Sequence, residues 1–492
     1  MHPFTNDSRL QNIESPAILS SQHVEQLSVP QTNVRSGTRT ISVIGGGFCG
    51  TVAVIQLLRL FTVSHSESVL PERLIINWLD SSGWFGRGLP YRQQERSEDN
   101  QKLILNQPAA LMSPFPEEPD AYTKWLAREH PHYTHACFTP RSLFGDFLEH
   151  SLDEAERAAA STGRSFTINR RREKAKAIDA CDYSIVCGEC GVRVSNDAVI
   201  VATGHHVRDN FQHLVGTPHY IDAPFDVARF RSLGLERLNQ IILIGGGPSA
   251  IDAARILDGL GYRGSYRVIA RRLSPPWPFI PEVYLSTDIP RFEPQYLRPE
   301  HIPEDATYRH LQKLLRKEVL RARAHGYGDG HVYYGIDLGA LEHRLAAIHD
   351  RTAAKEFGAL IAFLRGNTTA PENLVLLRKL LRERRLTYLK GHALPNHTVF
   401  SDTRKRYETV VLHPRGARVL TEGDALVNCA LFVRSSSSAG IAAPASPAVM
   451  EKKIFLVGPA LTNSVIIPRT WGVESFREEI RNAARSALRA FN

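Results

Sequence analysis

Residues 1–39 are polar and rich in Ser, Asn and Gln, and they predict a flexible tail. From residue 40 the chain alternates short continuous apolar runs with stretches of helical period. Thr40–Ile44 reads as a buried strand that runs into Gly45-Gly46-Gly47-Phe48-Cys49-Gly50, with a helix over Thr51–Leu60. Leu74–Leu79 is a second apolar run, and it ends in Asp80. Tyr183–Val194 alternates like a hairpin, and 197–201 is a buried strand that ends in Ala202-Thr203-Gly204. Ile241–Ile244 repeats the opening pattern: it enters Gly245-Gly246-Gly247-Pro248-Ser249-Ala250, and a helix follows over Ile251–Leu260. Tyr266–Ala270 is the next strand. Residues 280–390 carry helical periodicity broken by Gly and Pro, and Leu386–Asn428 returns to strand-like alternation. Lys453–Gly458 is a last apolar strand before the amphipathic helix Val473–Phe491.

This alternation predicts an α/β chain with two Rossmann-like dinucleotide-binding domains and a helical insertion. A tail at 1–39 precedes the first part of one domain at 40–215. A second domain follows at 216–395 with the insertion at about 280–390, and 396–492 completes the first.

The glycine turns carry the chemistry. In a strand–turn–helix, Gly45 permits the tight turn and Gly47 lets a pyrophosphate approach bare backbone. Gly50 lets the helix pack close to the sheet. A pyrophosphate there meets free N–H groups at the positive end of the helix, and Phe48 in the turn is a further candidate contact. Asp80 is the candidate acceptor for a ribose hydroxyl pair, although its distance along the chain from the turn is longer than usual. In the second motif Ala250 takes the third glycine's position, beside Gly245, Gly247 and Ser249. The strand after it ends in Arg271-Arg272, and arginines there favour a 2′-phosphate, hence NADPH over NADH. Solvent-facing arginines are the other reading. Two nucleotide motifs about 200 residues apart imply electron transfer between a bound flavin, FAD, and a visiting nicotinamide.

Composition narrows the picture. Apolar residues make up 42% of the 492 and charged residues 23%, a globular balance. No apolar run reaches the roughly 18 residues of a membrane span. Asp7, Glu14 and Glu25 argue against a transit peptide, so the expected location is cytoplasmic. The formal charge of +9 comes largely from arginines scattered between 308 and 387 with no interleaved aromatic motif. That predicts a solvated basic surface and no nucleic-acid or membrane partner. Six cysteines suggest a reducing compartment. Cys187-Gly188-Glu189-Cys190 reads as a hairpin tip, with a redox or metal role as the alternative; no second pair completes a metal site, and no metal is expected. No Cys-x4-Cys pair follows the first helix, which argues against a disulfide reductase.

The chain resembles the FAD/NAD(P)-binding oxidoreductases with two dinucleotide-binding domains, in a bacterial branch related to flavin monooxygenases and amine N-hydroxylases. The likeness covers most of 40–280 and, more faintly, 405–490. Gly86-Arg87-Gly88-Leu89-Pro90-Tyr91 is similar to the branch's Gly-x-Gly-x-x-Tyr segment, and Leu103-Ile104-Leu105-Asn106-Gln107-Pro108 and Thr139-Pro140-Arg141 follow in order. The resemblance implies that Asn106 sets its amide beside the reactive edge of FAD as the catalytic residue; a turn-capping asparagine is the plainer alternative. It implies cofactor contacts at Gly88, Thr203, Gly204 and Gly458. Asn428-Cys429-Ala430 stands where the family has Asn-Cys-Thr-Gly, a departure that affects a turn expected at the flavin. Trp471-Gly472-Val473-Glu474 is similar to a helix start near the isoalloxazine, so Arg469 and Trp471 are candidate substrate contacts. The implied activity is an FAD-dependent, NADPH-consuming monooxygenase acting on an amine or amino acid and dioxygen through a flavin C4a-(hydro)peroxide. A flavin reductase and a non-catalytic flavin sensor are the alternatives, and a homo-oligomer is left open.

Overall fold

The computed structural model describes residues 37–63, 71–88, 90–91, 103–133, 137–179, 182–188, 191–204, 206–207, 210–222, 224–271, 277–278, 292–366, 368–430, 432–433, 453–458 and 473–489. Two five-stranded sheets organise them. The first runs Ile454–Leu456, Ala198–Val201, Thr38–Ile44, Arg73–Leu79, Ser165–Arg171, with every neighbouring pair parallel. The second runs Leu386–Lys390, Ser265–Ala270, Gln240–Ile244, Ala425–Asn428, Tyr220–Ile221, again all parallel.

Parallel strands covered on both faces read as continuous apolar runs, and alternate residues go to opposite faces. In Thr38–Ile44, Ile41 and Val43 join a core with the helices Phe48–Val63, Arg141–Ser161 and Val473–Arg489. Ile44 joins a separate core under a three-stranded antiparallel sheet of Ala175–Ile178, Ile185–Cys187 and Val192–Val194. The second unit repeats this. Ile241 and Leu243 pack with the helices Pro248–Gly259 and Pro371–Arg382. Ile242 and Ile244 pack under the antiparallel strands His392–Ser401, Arg406–Leu412 and Arg418–Gly423. In both units the antiparallel sheet lies in the chain between the third and fourth strands of the repeat.

This duplication moves two expected boundaries. Residues 396–428 do not complete the first domain: Ala425–Asn428 pairs with Gln240–Ile244 in the second sheet. The chain returns to the first sheet at Ile454–Leu456, and the final helix packs Phe476, Ile480, Ala484 and Ala487 into that core. The helical insertion is also shorter than 280–390. The helices Tyr308–Ala324, Asp329–Gly335, Leu338–Ala346 and Arg351–Gly366 build a core of their own. Pro371–Arg382 instead sends Leu374, Leu377 and Leu380 into the second domain. Its arginines and helical period are those of the insertion; its burial is not.

The close packing of the first helix rests on Gly50. A Cβ there would overlap the carbonyl oxygen of Gly45 and lie 3.4 Å from the Trp78 indole nitrogen, which itself donates to that carbonyl at 2.8 Å. Gly50→Ala should therefore lower the unfolding free energy by about 1–3 kcal/mol in urea titrations, the scale of overpacking. Gly247→Ala, whose Cβ meets nothing within 4 Å, should leave the unfolding midpoint nearly unchanged.

Candidate functional site

Each central strand ends in a crevice where the neighbouring strands connect in opposite directions, the place where open parallel sheets bind ligands. The two crevices have the same backbone wiring. Gly45 donates to Leu79 O at 2.7 Å and Ala202 donates to Ile44 O at 2.8 Å. Gly245 donates to Ile269 O at 2.9 Å and Cys429 donates to Ile244 O at 2.8 Å. Gly45 and Gly245 have φ of +117° and +104°. A Cβ on Gly45 would overlap the Ala202 carbonyl, and one on Gly245 would lie 3.1 Å from the Cys429 carbonyl carbon.

In the first crevice Asp80 turns inward. The parallel register pairs Leu79 with Ile44, so the chain length between turn and acid does not set their distance. Gly46 N–H donates to Asp80 Oδ2 at 2.7 Å, and the other carboxylate oxygen holds the Ser82 N–H at 2.8 Å. Gly88 faces the same turn with φ +72°; a Cβ there would lie 3.0 Å from Gly47 Cα. Gly86 N–H donates to Gly46 O at 3.2 Å, and Thr51 Oγ1 donates to Gly86 O at 2.7 Å. Gly47 and Gly88 thus form a surface of bare backbone at the start of the helix. Phe48 packs its ring on Tyr91 and Phe144. Gly458 approaches the helix start from the last strand; a Cβ there would lie 2.5 Å from Cys49 Sγ. Burial pushes the Cys49 thiol up to about 12, so it is a neutral packing group at physiological pH.

Thr203 Oγ1, at the turn whose backbone abuts Gly45, is buried and has no hydrogen-bond partner among the described residues. A buried hydroxyl without a partner costs free energy unless a ligand supplies one. A bare-backbone cradle, an acid at the strand end and this hydroxyl together fit a dinucleotide cofactor. Gly204, with φ +72°, has open space beside it.

In the second crevice Gly247 caps the helix without a side-chain hydrogen bond, Pro248 occupies the first turn, and Ser249 and Ala250 follow. Ala270 takes the place that Asp80 holds in the first unit, since Ile269 and Leu79 play the same role. No carboxylate stands there. Arg271, the next residue, is exposed; Arg272 lies outside the described residues, as do Arg469, Trp471 and Cys190. The expected role of Asn428-Cys429-Ala430 at the flavin is corrected: this turn abuts Gly245 in the second unit and is the counterpart of Val201-Ala202-Thr203. Among the described residues no group of His, Cys, Asp or Glu could hold a metal ion, and no helix is long and apolar enough to cross a membrane.

The segment 103–106 lies where the two units meet, a location the sequence did not signal. Leu103 packs into the core of the second unit, and Ile104 packs with Phe138 and Ala370. Arg141, at the start of its helix, donates to Ile104 O at 3.0 Å and to Asp252 Oδ2 at 2.8 Å. Asp252 belongs to the helix after the second glycine turn. Both side chains are buried, at 8% and 2% exposure. Burial pushes the Asp252 carboxyl up and the Arg141 guanidinium opposes it. Asn106 Oδ1 accepts from Thr369 Oγ1 at 3.3 Å, so this amide too touches the second unit.

Residues 42–206 match the family model described as FAD-NAD(P)-binding. No curated protein matches the chain by sequence. Among solved structures, L-lysine 6-monooxygenase from Pseudomonas syringae is similar with a TM-score of 0.54 and 12% identity, over 92% of this chain and 100% of that one. An ornithine N-hydroxylase from Kutzneria sp. 744 aligns at a TM-score of 0.49 and 12% identity, over 92% and 98%. At this identity the first likeness establishes a shared fold.

The ion pair between the units is directly testable. Arg141→Met or Asp252→Asn should each destabilise the protein by about 3–5 kcal/mol, because each strands the partner's charge or hydrogen bond in the interior. The double variant Arg141→Met with Asp252→Leu should recover part of that loss in denaturant titrations, since neither charge then remains.

Proposed function

We propose that the chain is an FAD-dependent, NADPH-consuming monooxygenase that N-hydroxylates a small amine or amino acid. The observation that carries this reading is the pair of like-wired glycine crevices in one chain, joined across a buried seam that contains Asn106. The FAD-NAD(P)-binding match over 42–206 supports the first crevice as the flavin site. The fold shared with an L-lysine 6-monooxygenase supports the reaction class.

In this reading Gly45, Gly47, Phe48 and Gly50 hold the FAD pyrophosphate on backbone N–H groups at a helix start. Asp80 takes the ribose hydroxyls through the carboxylate that here binds Gly46 N–H. Thr203 supplies its unpartnered hydroxyl, with Gly88, Gly204 and Gly458 as the bare-backbone walls. Gly245, Gly247, Ser249 and Ala250 receive the NADPH pyrophosphate. Arg271 and Arg272 take the 2′-phosphate, with Ala270 leaving no carboxylate to repel it. Bound FAD would accept a hydride from NADPH and, once reduced, activate dioxygen for transfer to a nucleophilic nitrogen. The protein's share is orientation and exclusion of water, and the Asn106 amide is the hydrogen-bonding group it brings to that edge. Arg469 and Trp471 are proposed substrate contacts, and a cytoplasmic location goes with NADPH use.

The decisive experiment is anaerobic bleaching of bound FAD by NADPH, followed by oxygen and a panel of diamines and amino acids. Prompt bleaching and a hydrogen peroxide yield well below one per NADPH with at least one amine are expected. A yield of one with every amine makes the protein a reductase or oxidase, and no bleaching makes it a flavin sensor. Gly247→Ala should raise the KM for NADPH at least about 10-fold while FAD stays bound, because the added methyl blocks close approach of the pyrophosphate.

A further inference from the structure

Asn106 is the last member of a chain of hydrogen bonds that begins on the helix behind the second glycine turn. Arg255 Nη1 donates to Asn373 Oδ1 at 3.0 Å. Asn373 Nδ2 donates to Thr369 Oγ1 at 2.8 Å. Thr369 Oγ1 donates to Asn106 Oδ1 at 3.3 Å. Thr369 and Asn373 are fully buried, and Arg255 is partly so.

The direction of these bonds follows from one residue. Arginine donates and cannot accept. Asn373 must therefore show Arg255 its oxygen, which turns its NH2 toward Thr369. The Thr369 oxygen accepts that hydrogen and gives its own single proton to Asn106 Oδ1. With its oxygen turned to Thr369, the Asn106 NH2 occupies the other arm of the amide. Without this relay the two ends of an amide of nearly equal shape are interchangeable by a half-turn.

We infer that Thr369, Asn373 and Arg255 are positioning residues that lock the Asn106 amide with its NH2 as the donor presented to the flavin-side ligand. The inference rests on the placement of Asn106 at the flavin in the proposed function, and it adds the requirement that the second domain dictate which end of the amide faces that ligand. The Thr369–Asn106 contact is long for a hydroxyl donor, as catalytic contacts often are before the ligand is bound. A ligand that accepts from Nδ2 would draw on an amide already polarised by its own accepted bond.

The test uses full-length holoenzyme with Thr369→Val, Thr369→Ser, Asn106→Ala and the Val/Ala double variant. Thr369→Val keeps the side-chain shape and removes the relay's proton. Measured quantities are the dissociation constant for FAD, the absorption maxima of bound FAD, peroxide formed per NADPH, and the urea midpoint of the apoprotein. Thr369→Val should weaken FAD binding about 5-fold, the scale of one lost hydrogen bond, shift the flavin maxima and raise the peroxide yield. Thr369→Ser should restore all three, and the double variant should match Asn106→Ala. Additive losses in the double variant overturn the inference, and so does a serine variant as impaired as the valine one, which would mean the threonine only fills space. If Asn106→Ala leaves FAD binding, spectrum and peroxide yield at wild-type values, the flavin-side placement of Asn106 falls. The relay is then decided by the apoprotein midpoints, where non-additive shifts sustain it and additive shifts end it.

Discussion

Everything in this molecule depends on a steric constraint at the end of each central strand, where the chain must reverse into a helix with no side chain in the way. Gly45 needs both a left-handed φ and room against the Ala202 carbonyl. Gly50 lets the helix axis come down onto the Gly45 carbonyl, which the Trp78 indole then satisfies. The second unit meets the same demand with Gly245 against the Cys429 carbonyl. These absences of side chain bring helix N–H groups to the crevice mouth, where a negatively charged pyrophosphate would be stabilised by partial charges that need not reorganise. The fold and the proposed cofactor sites therefore follow from one packing requirement.

Two such units would be independent binding modules without the seam between them. Leu103 is a first-domain residue buried in the second domain's core, and Arg141 carries its charge to Asp252 on the second nucleotide helix. Ion pairs of this kind contribute little net stability, because desolvation offsets their attraction, but breaking them is costly. This one ties the helix that starts at Arg141 to the helix after the second glycine turn. If the two crevices exchange a hydride as proposed, a misplacement of about 1 Å would be costly, and a seam made of oriented bonds suits that better than a smooth apolar interface would. The relay through Asn373 and Thr369 belongs to the same seam and is directional for the same reason: an arginine sits at its origin.

Cys49 and Cys429 enter this arrangement by packing and through their backbone, and not through thiol chemistry. Cys49 and Cys187 are both pushed up to about 12, chiefly by burial, and a neutral thiol is neither a metal ligand nor a nucleophile. Cys187 lies in a strand facing a small core, as a hairpin residue would.

Local signals in the chain determined both glycine turns, the strands that enter them and the acid at Asp80, because each is a backbone requirement confined to a few neighbouring residues. The sequence also marked Asn106, though by resemblance and without its surroundings. Only the tertiary structure decided which sheet each later strand joins. Ala425-Leu426-Val427 is wholly apolar, as is Ile454–Leu456, and an apolar run does not state its partner. Likewise Pro371–Arg382 has the period and charge of the insertion before it, and only its contacts separate the two. The seam was hidden for the same reason. Arg141 and Asp252 are 111 positions apart, and Asn106 and Thr369 are 263 apart. Contacts between residues so distant are set by how whole sheets pack, and no local pattern of side chains encodes them.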